Sequence, residues 1–374
     1  MDSCSVLIVG GGPAGSSCAR KLQQGGLDTI ILDRSTFPRD KLCGGWITPA
    51  VIQELEIDAA DYARGRVLQS ITGFRTSRMG DAEIETDYGR TISYGIRRFQ
   101  FDDYLLRRSG ARLISGTPLK TIERSGDTWI VNREIQARLI VGAGGHFCPV
   151  ARFLGADARR EVAVATQETE FEMNPRQREL CSIRGEIPEL YFCADMKGYG
   201  WCFRKGDFLN IGLGRLDPHS LPGHVSDFVQ FLKKAGRIGF DLPSSMLGHA
   251  YLIYRETKRN LVDDGALLIG DAAGLAYSQS GEGIRPAIES GLLAAKAILA
   301  ADGKYTRDRL EGYRGMLASR FGKSQADWST RIGRRLPPRW MHSFARIMLA
   351  TRWFSRHVVL DRWFLHAHEP ALNA

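Results

Sequence analysis

The sequence predicts an α/β protein: a parallel-sheet domain that carries an inserted, mostly antiparallel β-sheet and ends in a helical C-terminal tail. The run SVLIVG (5–10), a glycine-rich turn, a helix and the run TIILD (29–33) make one βαβ unit. Residues 160–260 alternate apolar and polar positions, as antiparallel strands do. The apolar run ALLIG (266–270) then predicts another buried parallel strand, and a helix rich in Ala and Leu follows over 284–300.

The remaining segments set the predicted domain boundaries. We expect a helix over 48–60, strands over 66–95, a helix over 101–110, a β-meander that enters ARLIVGAGG (137–145), and a helix over 225–235. The first domain is therefore predicted to be discontinuous, and the inserted sheet to come from two stretches. The predicted ranges are 1–60, 95–160 and 261–304 for the first domain, 61–94 and 161–260 for the inserted sheet, and 305–374 for the tail.

Composition narrows the class of protein. A chain of 374 residues with 43% hydrophobic and 25% charged residues is ordinary for a globular protein. The net charge of +9 is concentrated late, where 331–368 holds eight Arg and one acid, Asp361. No zinc-finger, recognition-helix or RNA-binding signature accompanies this charge, so a nucleic-acid partner is not expected.

The cysteines and the lengths of the apolar runs indicate the compartment in which the protein is expected. The seven cysteines form no CxxC pair, which favours reduced thiols in the cytosol over a disulfide frame or a zinc site. The N-terminus lacks a basic region and a cleavage site, and no apolar run reaches the ~18 residues of a membrane span. His366-x-His368 alone is too little for a metal site, so no metal is predicted.

The first chemistry-bearing motif is Gly10-x-Gly12-x-x-Gly15, which follows a strand and opens a helix. This context is typical of a Rossmann-type dinucleotide site. The glycines permit a tight turn and close backbone approach to a pyrophosphate, and the helix N-terminus offers free N–H groups. Asp33 ends the second strand, where it can accept hydrogen bonds from a ribose.

The late stretch GDAAGLAYSQSGEGI (270–284) favours FAD over NAD as the dinucleotide. Asp271 follows its own predicted strand and can accept from a ribityl hydroxyl or line the pyrophosphate. Gly281, Glu282 and Gly283 directly precede the helix that begins at Ile284, so backbone N–H groups there can face the flavin ring. The first domain is thus predicted to be a Rossmann-type (GR2-like) FAD-binding domain, and the inserted sheet a substrate domain.

GGGPAGS, RRFQFDDYLL and GDAAG…GEGI resemble a flavoprotein of the p-hydroxybenzoate hydroxylase-like superfamily, up to about residue 320. FPRDKLCGG (37–45) and GYGWCF…NIGLG (198–214) resemble the geranylgeranyl reductase family within it. Arg204 and Ser278 stand where that family has prolines. Gly144-Gly145 stands where many hydroxylases have Asp-Gly.

The resemblance implies residue roles. Arg98 would touch the FAD phosphates, and Cys43 would lie at the reactive face of the flavin and is one candidate proton donor. Tyr199 and Trp201 would line an apolar substrate pocket from one face of a strand. The predicted catalytic residues are Cys43, Tyr199 and Trp201. The predicted cofactor-binding residues are Gly10, Gly12, Pro13, Ala14, Gly15, Asp33, Arg34, Lys41, Cys43, Gly44, Gly45, Arg98, Gly144, Gly270, Asp271, Gly281, Glu282, Gly283 and Ile284.

The resemblance favours the first of three functions and leaves the other two open as alternatives. The first is reduction of C=C bonds in a prenyl or similar apolar substrate. The second is a monooxygenase that hydroxylates an aromatic substrate, either a small molecule or a tryptophan of a partner protein during maturation of a quinone cofactor. The third is a flavin electron-transfer protein. NADPH, NADH or a reduced carrier remains open as the electron donor.

The tail has two interpretations. Over 331–368 it interleaves arginines with the aromatic residues Trp340, Phe344, Trp353, Phe354, Trp363 and Phe364. Such a segment can lie on a membrane surface with its cations facing the headgroups, which would place the enzyme at the inner membrane face. It can equally form a helical cap over the pocket, with its arginines in water.

Overall fold

A computed structural model describes residues 1–157, 161, 163–217, 219–243, 246–254, 259–322 and 348–373, whose strands form three sheets. The described strands are β1 (Asp2–Val9), β2 (Thr29–Leu32), β3 (Trp46–Ile47), β4 (Leu68–Ile71), β5 (Gly73–Arg78), β6 (Ile84–Asp87), β7 (Ser93–Ile96), β8 (Arg112–Ile114), β9 (Ile122–Ser125), β10 (Thr128–Val131), β11 (Ile135–Gly142), β12 (Ala163–Glu172), β13 (Glu189–Phe192), β14 (Gly198–Lys205), β15 (Phe208–Arg215), β16 (Leu247–Leu252), β17 (Val262–Asp263) and β18 (Ala266–Leu268).

Helices connect these strands. The described α-helices are α1 (Pro13–Gln24), α2 (Pro49–Glu54), α3 (Ala59–Tyr62), α4 (Arg98–Arg108), α5 (Pro149–Phe153), α6 (Pro175–Glu179), α7 (Leu221–Lys234), α8 (Ile284–Ala300), α9 (Arg307–Leu310), α10 (Gly312–Phe321) and α11 (Arg352–Phe354). A 3₁₀ turn spans Gly270–Ala272, and a π-helical segment spans Ser355–Phe364.

The predicted parallel sheet is confirmed. Its order is β17-β18-β11-β1-β2-β8, and β1 pairs in parallel with both β2 and β11. The apolar run of β1 is buried on both faces, as expected for a central parallel strand. Helices α1 and α8 pack closely because Gly291 has no side chain: a Cβ there would lie 2.4 Å from the Ala14 carbonyl oxygen.

The predicted inserted sheet is also confirmed as mostly antiparallel. Its order is β16-β12-β15-β14-β13-β5-β6, with a parallel pairing between β13 and β5. Helix α7 covers one face, where the Phe228 ring packs directly on Gly200. A separate small sheet, β3-β7-β4, draws strands from 46–47, 68–71 and 93–96. The exact domain boundaries stay a prediction.

The described part of the tail packs on the inserted sheet. Val359, Leu360 and Phe364 are buried among the aromatic residues of that sheet. The Tyr88 hydroxyl donates to Asp361 Oδ1 at 2.6 Å, which fixes the π-helical segment against the strand region. Residues 323–347, with Pro337-Pro338, Trp340 and Phe344, lie outside the described residues. Within the described ranges, no helix combines the length and apolarity that a bilayer crossing requires.

Candidate functional site

A cavity of about 490 Å³ is lined by residues from both large sheets and from the loops that join them. Most of the predicted site residues meet there. They are Gly10, Gly12, Pro13, Ala14, Asp33, Arg34, Lys41, Cys43, Gly44, Gly45, Arg98, Gly144, Tyr199, Trp201, Asp271, Gly281, Glu282, Gly283 and Ile284. Gly15 and Gly270 are not part of this lining, and a Cβ on either would press on neighbouring protein atoms.

The glycine turn between β1 and α1 forms one end of the cavity. Gly10 has φ +118°, and a Cβ there would lie 2.4 Å from the Ala143 carbonyl oxygen. A Cβ on Gly15 would lie 1.9 Å from the Gly10 carbonyl oxygen, so this glycine lets α1 approach β1. Helix α1 begins after Gly12 without a side-chain cap, which leaves N–H groups free for an anion.

Asp33 supports the same turn. Its Oδ2 accepts from the Gly11 N–H at 2.7 Å, and its Oδ1 accepts from the Ser35 N–H at 2.8 Å. The carboxylate is therefore held in one orientation on the cavity wall by backbone donors. Each oxygen retains a lone pair, so a ribose hydroxyl can still donate to this group.

The late stretch forms the opposite wall. Gly270 adopts φ +59° and donates its N–H to Ser290 Oγ at 2.9 Å, so it shapes the turn that exposes Asp271. A Cβ on Gly281 would lie 2.0 Å from the Tyr251 hydroxyl oxygen. Helix α8 begins after Gly283, and the Arg285 N–H in its first turn donates to Glu282 Oε1 at 2.9 Å. The N-terminus of α8 faces the cavity, as predicted.

The structure gives Arg98 partners within the protein. Its Nε and Nη2 contact the two carboxylate oxygens of Asp102 at 2.6 and 2.8 Å. Arg39 Nη2 contacts the same carboxylate at 3.1 Å and lies 3.5 Å from the position of a Cβ on Gly12. Because Arg39 is the cation beside the glycine turn, it is better placed for a phosphate than Arg98.

The loop Cys43-Gly44-Gly45 is held by three donors from three elements. Asn210 Nδ2 donates to the Cys43 carbonyl at 3.2 Å, and Lys205 Nζ donates to the Gly44 carbonyl at 2.9 Å. The Ile96 N–H donates to the Gly45 carbonyl at 2.7 Å. Gly45 has φ +65°, the left-handed conformation that glycine adopts without strain. The loop is thus fixed against the cavity.

Aromatic side chains form the far wall. The Tyr199 and Trp201 rings lie 5.9 Å apart on one face of β14, as the alternation predicted. Phe364 of the tail lies 5.4 Å from Tyr199 and 6.0 Å from Trp46, ring centre to ring centre. Leu190 and Phe203 complete this end of the lining. The described tail therefore caps the cavity, in line with one of its two interpretations.

Two carboxyl groups and one thiol in the cavity lining have pKa values above their ordinary values. Burial raises the pKa of Glu168 to about 7, and it raises the pKa of Glu282 to about 7 as well. Burial also raises the pKa of the Cys43 thiol, although the adjacent Arg98 guanidinium opposes this. Near neutral pH the thiol is therefore protonated, and each carboxyl exchanges a proton readily.

Lys41, a predicted site residue, lies beside His249, which the sequence did not predict. Its Nζ is 3.2 Å from His249 Nδ1. Burial lowers the pKa of Lys41, and the nearby Asp271 carboxylate opposes the shift. Burial, with the charge of Lys41 second, lowers the pKa of His249 to about 3, so this imidazole is neutral.

Several lining residues were missed by the sequence prediction. Arg39 lies inside the quoted segment FPRDKLCGG and could have been found there. Tyr251, His249 and Glu168 come from neighbouring strands, β12 and β16, and carry no motif that marks them. These strands reach the cavity only through the tertiary pairing of the inserted sheet.

The described residues bring His366, His368 and Glu369 together, with one ligand atom from each within 4.8 Å of the others. His366 is buried and stacks on Tyr277, with ring centres 3.6 Å apart. The Tyr277 hydroxyl donates to Glu369 Oε2 at 2.8 Å, so protein contacts already account for this packing.

The residues of the cavity fit FAD. The N-termini of α1 and α8 face it from two sides, and glycine backbone lines it where a Cβ would collide with neighbouring protein atoms. Asp33 and Asp271 offer acceptors to hydroxyls along its length, and Arg39 offers a charge beside the glycine turn. A dinucleotide with two hydroxylated chains and a central pyrophosphate matches this order of donors and acceptors.

Comparisons with known proteins agree with this fit. A protein-family model described as an FAD binding domain matches residues 3–91. The menaquinone reductase of Mycobacterium tuberculosis is 30% identical over 86% of this chain and 81% of the relative. A digeranylgeranylglycerophospholipid reductase of Methanosphaera stadtmanae is 27% identical over 85% of this chain and 83% of the relative.

A solved structure shows the same fold. The geranylgeranyl bacteriochlorophyll reductase-like protein of Thermoplasma acidophilum superposes with a TM-score of 0.79 at 20% identity, covering 97% of each chain. The predicted cofactor and the predicted family resemblance are both confirmed by these matches. This FAD-dependent oxidoreductase belongs to the geranylgeranyl reductase family.

Proposed function

We propose that this enzyme saturates C=C bonds in the isoprenoid chain of an apolar substrate, such as a prenylated quinone or a prenyl lipid. The observation that carries the proposal is the aromatic end of the cavity, built by Trp46, Tyr199, Trp201 and Phe364 beside the fixed Cys43 loop. A flexible prenyl chain gains stability by burying its apolar surface against such walls, at roughly 25 cal/mol per Å².

The site assigns separate roles to the cofactor and to the protein. FAD, when bound and reduced, supplies the hydride. The glycine turn and Arg39 hold the dinucleotide, and the loop clamped by Asn210 and Lys205 keeps backbone close to its reactive end. The aromatic wall orients the chain and excludes water. The predicted roles of Tyr199 and Trp201 in substrate contact belong to this proposal.

The test is a single-turnover assay. Purified holoenzyme is reduced anaerobically and mixed with a menaquinone-type substrate that carries several isoprene units. We expect the product chain to gain two hydrogens by mass spectrometry. Reduction of the quinone ring with an unchanged chain, or hydroxylation after oxygen is admitted, would contradict the proposal.

A matched pair of variants tests the wall. Phe364→Ala opens the cap of the cavity and should raise KM for a long-chain substrate several-fold. Trp353→Ala removes a ring that is 64% exposed on the same segment and should leave turnover of a detergent-dispersed substrate unchanged. Equal behaviour of the two variants would argue against a substrate wall at Phe364.

We further propose that the basic aromatic segment contacts anionic lipid at a membrane surface. Arg352 and Trp353 are exposed next to each other, and exposed Arg356 is held over the Tyr88 ring at 4.7 Å. Arginine and tryptophan together suit a headgroup region. The protein should co-sediment with anionic vesicles and not with zwitterionic ones, and Trp353→Ala should weaken this. Equal sedimentation with both kinds of vesicle would count against it.

A further inference from the structure

Buried carboxylates in the described part of the chain are held by cations or by several N–H and O–H donors, with few exceptions. Burying an unpaired carboxylate is costly, so such partners are expected. Asp102 has Arg98 and Arg39; Glu189 has Arg75, Arg237 and Tyr191; Glu289 and Glu54 share Arg285 and Arg320; Asp33 has two backbone N–H groups.

Two carboxyl groups of the cavity lining depart from this pattern: Glu282, whose Oε1 accepts from the Arg285 N–H while its Oε2 has no hydrogen-bond partner among the described residues, and Glu168. Glu168 is the one that contacts the clamped loop and the aromatic wall through Asn210. It lies in the middle of β12, is 1% exposed and lines the cavity. Across the described ranges, no Lys, Arg or His nitrogen lies within 4.0 Å of its carboxylate, and its hydrogen-bond partner is Asn210 Nδ2 at 3.5 Å. Glu170, two residues along the same strand, is by contrast paired with Lys205 at 2.5 Å and with Arg97 at 3.2 Å.

The packing places this carboxyl beside the proposed reaction centre. Asn210 accepts from Trp201 Nε1 at 2.7 Å and donates to the Cys43 carbonyl at 3.2 Å. Gly212 makes room for the arrangement, because a Cβ there would lie 2.5 Å from Glu168 Cβ and 2.3 Å from the Trp201 ring. Glu168 thus lies where the aromatic wall meets the clamped loop.

We propose that Glu168 is the acid that delivers the proton when the C=C bond is saturated, an inference that rests on the proposed function. The hydride from the reduced cofactor bonds to one alkene carbon and brings both electrons. The Glu168 O–H bond breaks, its proton bonds to the other carbon, and the carboxylate remains. One proton from water then restores the acid, so atoms and charge balance.

Cys43, the proton donor suggested by the sequence, is the weaker choice. Its thiol is hydrogen-bonded to the Arg98 guanidinium, and burial raises its pKa above that of an ordinary thiol. The Glu168 carboxyl, with a pKa of about 7, is the stronger acid of the two and is half protonated near neutrality. The charged or titratable groups that face Glu168 are Lys41, Cys43, Glu170, Tyr199, Lys205 and Tyr251.

The experiment uses Glu168→Gln, which keeps the shape and the contact with Asn210 but carries no exchangeable acid. Reduced holoenzyme is mixed anaerobically with the menaquinone-type substrate, and saturated product is followed by mass spectrometry over a range of pH. General acids contribute about 10²–10⁴-fold, so we expect saturation to slow by at least ~100-fold while bound FAD and its spectrum are unchanged. Glu172→Gln, at the exposed end of the same strand, is the control and should match wild type.

Two further readouts separate an acid from a structural residue. Wild-type turnover should fall as pH rises through the titration of Glu168, whereas residual turnover of Glu168→Gln should be flat over the same range. The infrared carbonyl band of a protonated carboxyl should be present in wild-type holoenzyme at low pH, disappear as pH rises, and be missing from the variant. This band is measured without substrate.

The outcomes distinguish the two proposals. If wild type saturates the chain and Glu168→Gln does so at a similar rate, Glu168 is not the donor and the proposed function stands. If Cys43→Ala, and not Glu168→Gln, abolishes the pH dependence, the thiol is the donor and the inference is overturned. If wild type saturates no isoprenoid, the proposed function fails, and the infrared titration alone then decides whether Glu168 is a proton-loaded group.

Discussion

Lys205→Met tests whether the Cys43-Gly44-Gly45 loop depends on one buried cation. The Lys205 side chain is fully buried, and its ammonium contacts Glu170 at 2.5 Å, the Gly44 carbonyl at 2.9 Å and the Ile96 carbonyl at 3.0 Å. Methionine keeps the stem, which packs on Gly95, and removes all three donors. Removing one partner of a buried ion pair costs about 3–5 kcal/mol.

This free-energy cost lowers the thermal midpoint by a measurable amount. Dividing it by an unfolding entropy of ~2.1 cal/mol/K per residue, for a chain of 374 residues, gives a midpoint lower by about 4–6 °C. The assay is the thermal unfolding of holoenzyme, together with the ratio of bound FAD to protein. Because the loop lines the cavity, we expect Lys205→Met to lose FAD as well as stability.

The control removes a lysine from a surface pair near the same hairpin. Lys197 lies 3.4 Å from Asp217 with both side chains exposed, and such pairs contribute little. Lys197→Met should therefore leave the midpoint and the bound FAD unchanged. If the thermal midpoint of Lys205→Met lies within ~1 °C of wild type and the variant retains full FAD, this ammonium does not organise the loop.

Three other predictions follow from single contacts. Gly281→Ala places a Cβ against the Tyr251 hydroxyl at positive φ and should lower the free energy of unfolding by ~1–3 kcal/mol. The control is Gly312→Ala, where the new Cβ meets no atom within 4 Å and stability should be unchanged. Thermal unfolding measures both variants. Asp271→Ala removes an acceptor from the cavity and should weaken FAD binding about 10–100-fold, measured by titrating apoprotein with FAD; full retention of FAD would contradict its role. The pKa of Glu168 is about 7 in the folded protein and ~4.3 in the unfolded chain. The protonated carboxyl therefore contributes stability at low pH, and this contribution is lost as pH rises through that window. Glu168→Gln should have the same thermal midpoint as wild type below the window and a higher midpoint than wild type above it.

Local patterns carried enough information to predict the FAD-binding half. The turn at Gly10, the buried run of β1 and the glycines before α8 are each determined by neighbours close in sequence. A strand buried on both faces must be apolar throughout, and a helix that meets a phosphate must begin without a bulky side chain. The class of the inserted sheet followed in the same way from its alternation.

Long-range pairing decided what the sequence could not predict. Arg98 lies at the start of α4 and lines the cavity, but its i,i+4 neighbour Asp102 pairs with it, and Arg39 from a loop lies beside the glycine turn. Glu168 and His249 enter the cavity because β12 pairs with β16 in one particular register. A shift of one residue in this pairing would put the two side chains on opposite faces of the sheet, so no local pattern could bring them together.

Arg204, which stands where the resembling family has proline, lies within β14. Arg204 pairs with Leu209 in the β14–β15 ladder, so β14 continues through position 205. Because the strand continues, the Lys205 side chain is carried to the Gly44 carbonyl and to Glu170. Glu170 thereby holds the cation of this region, and Glu168, two residues away on the same face, is left without one and able to keep a proton.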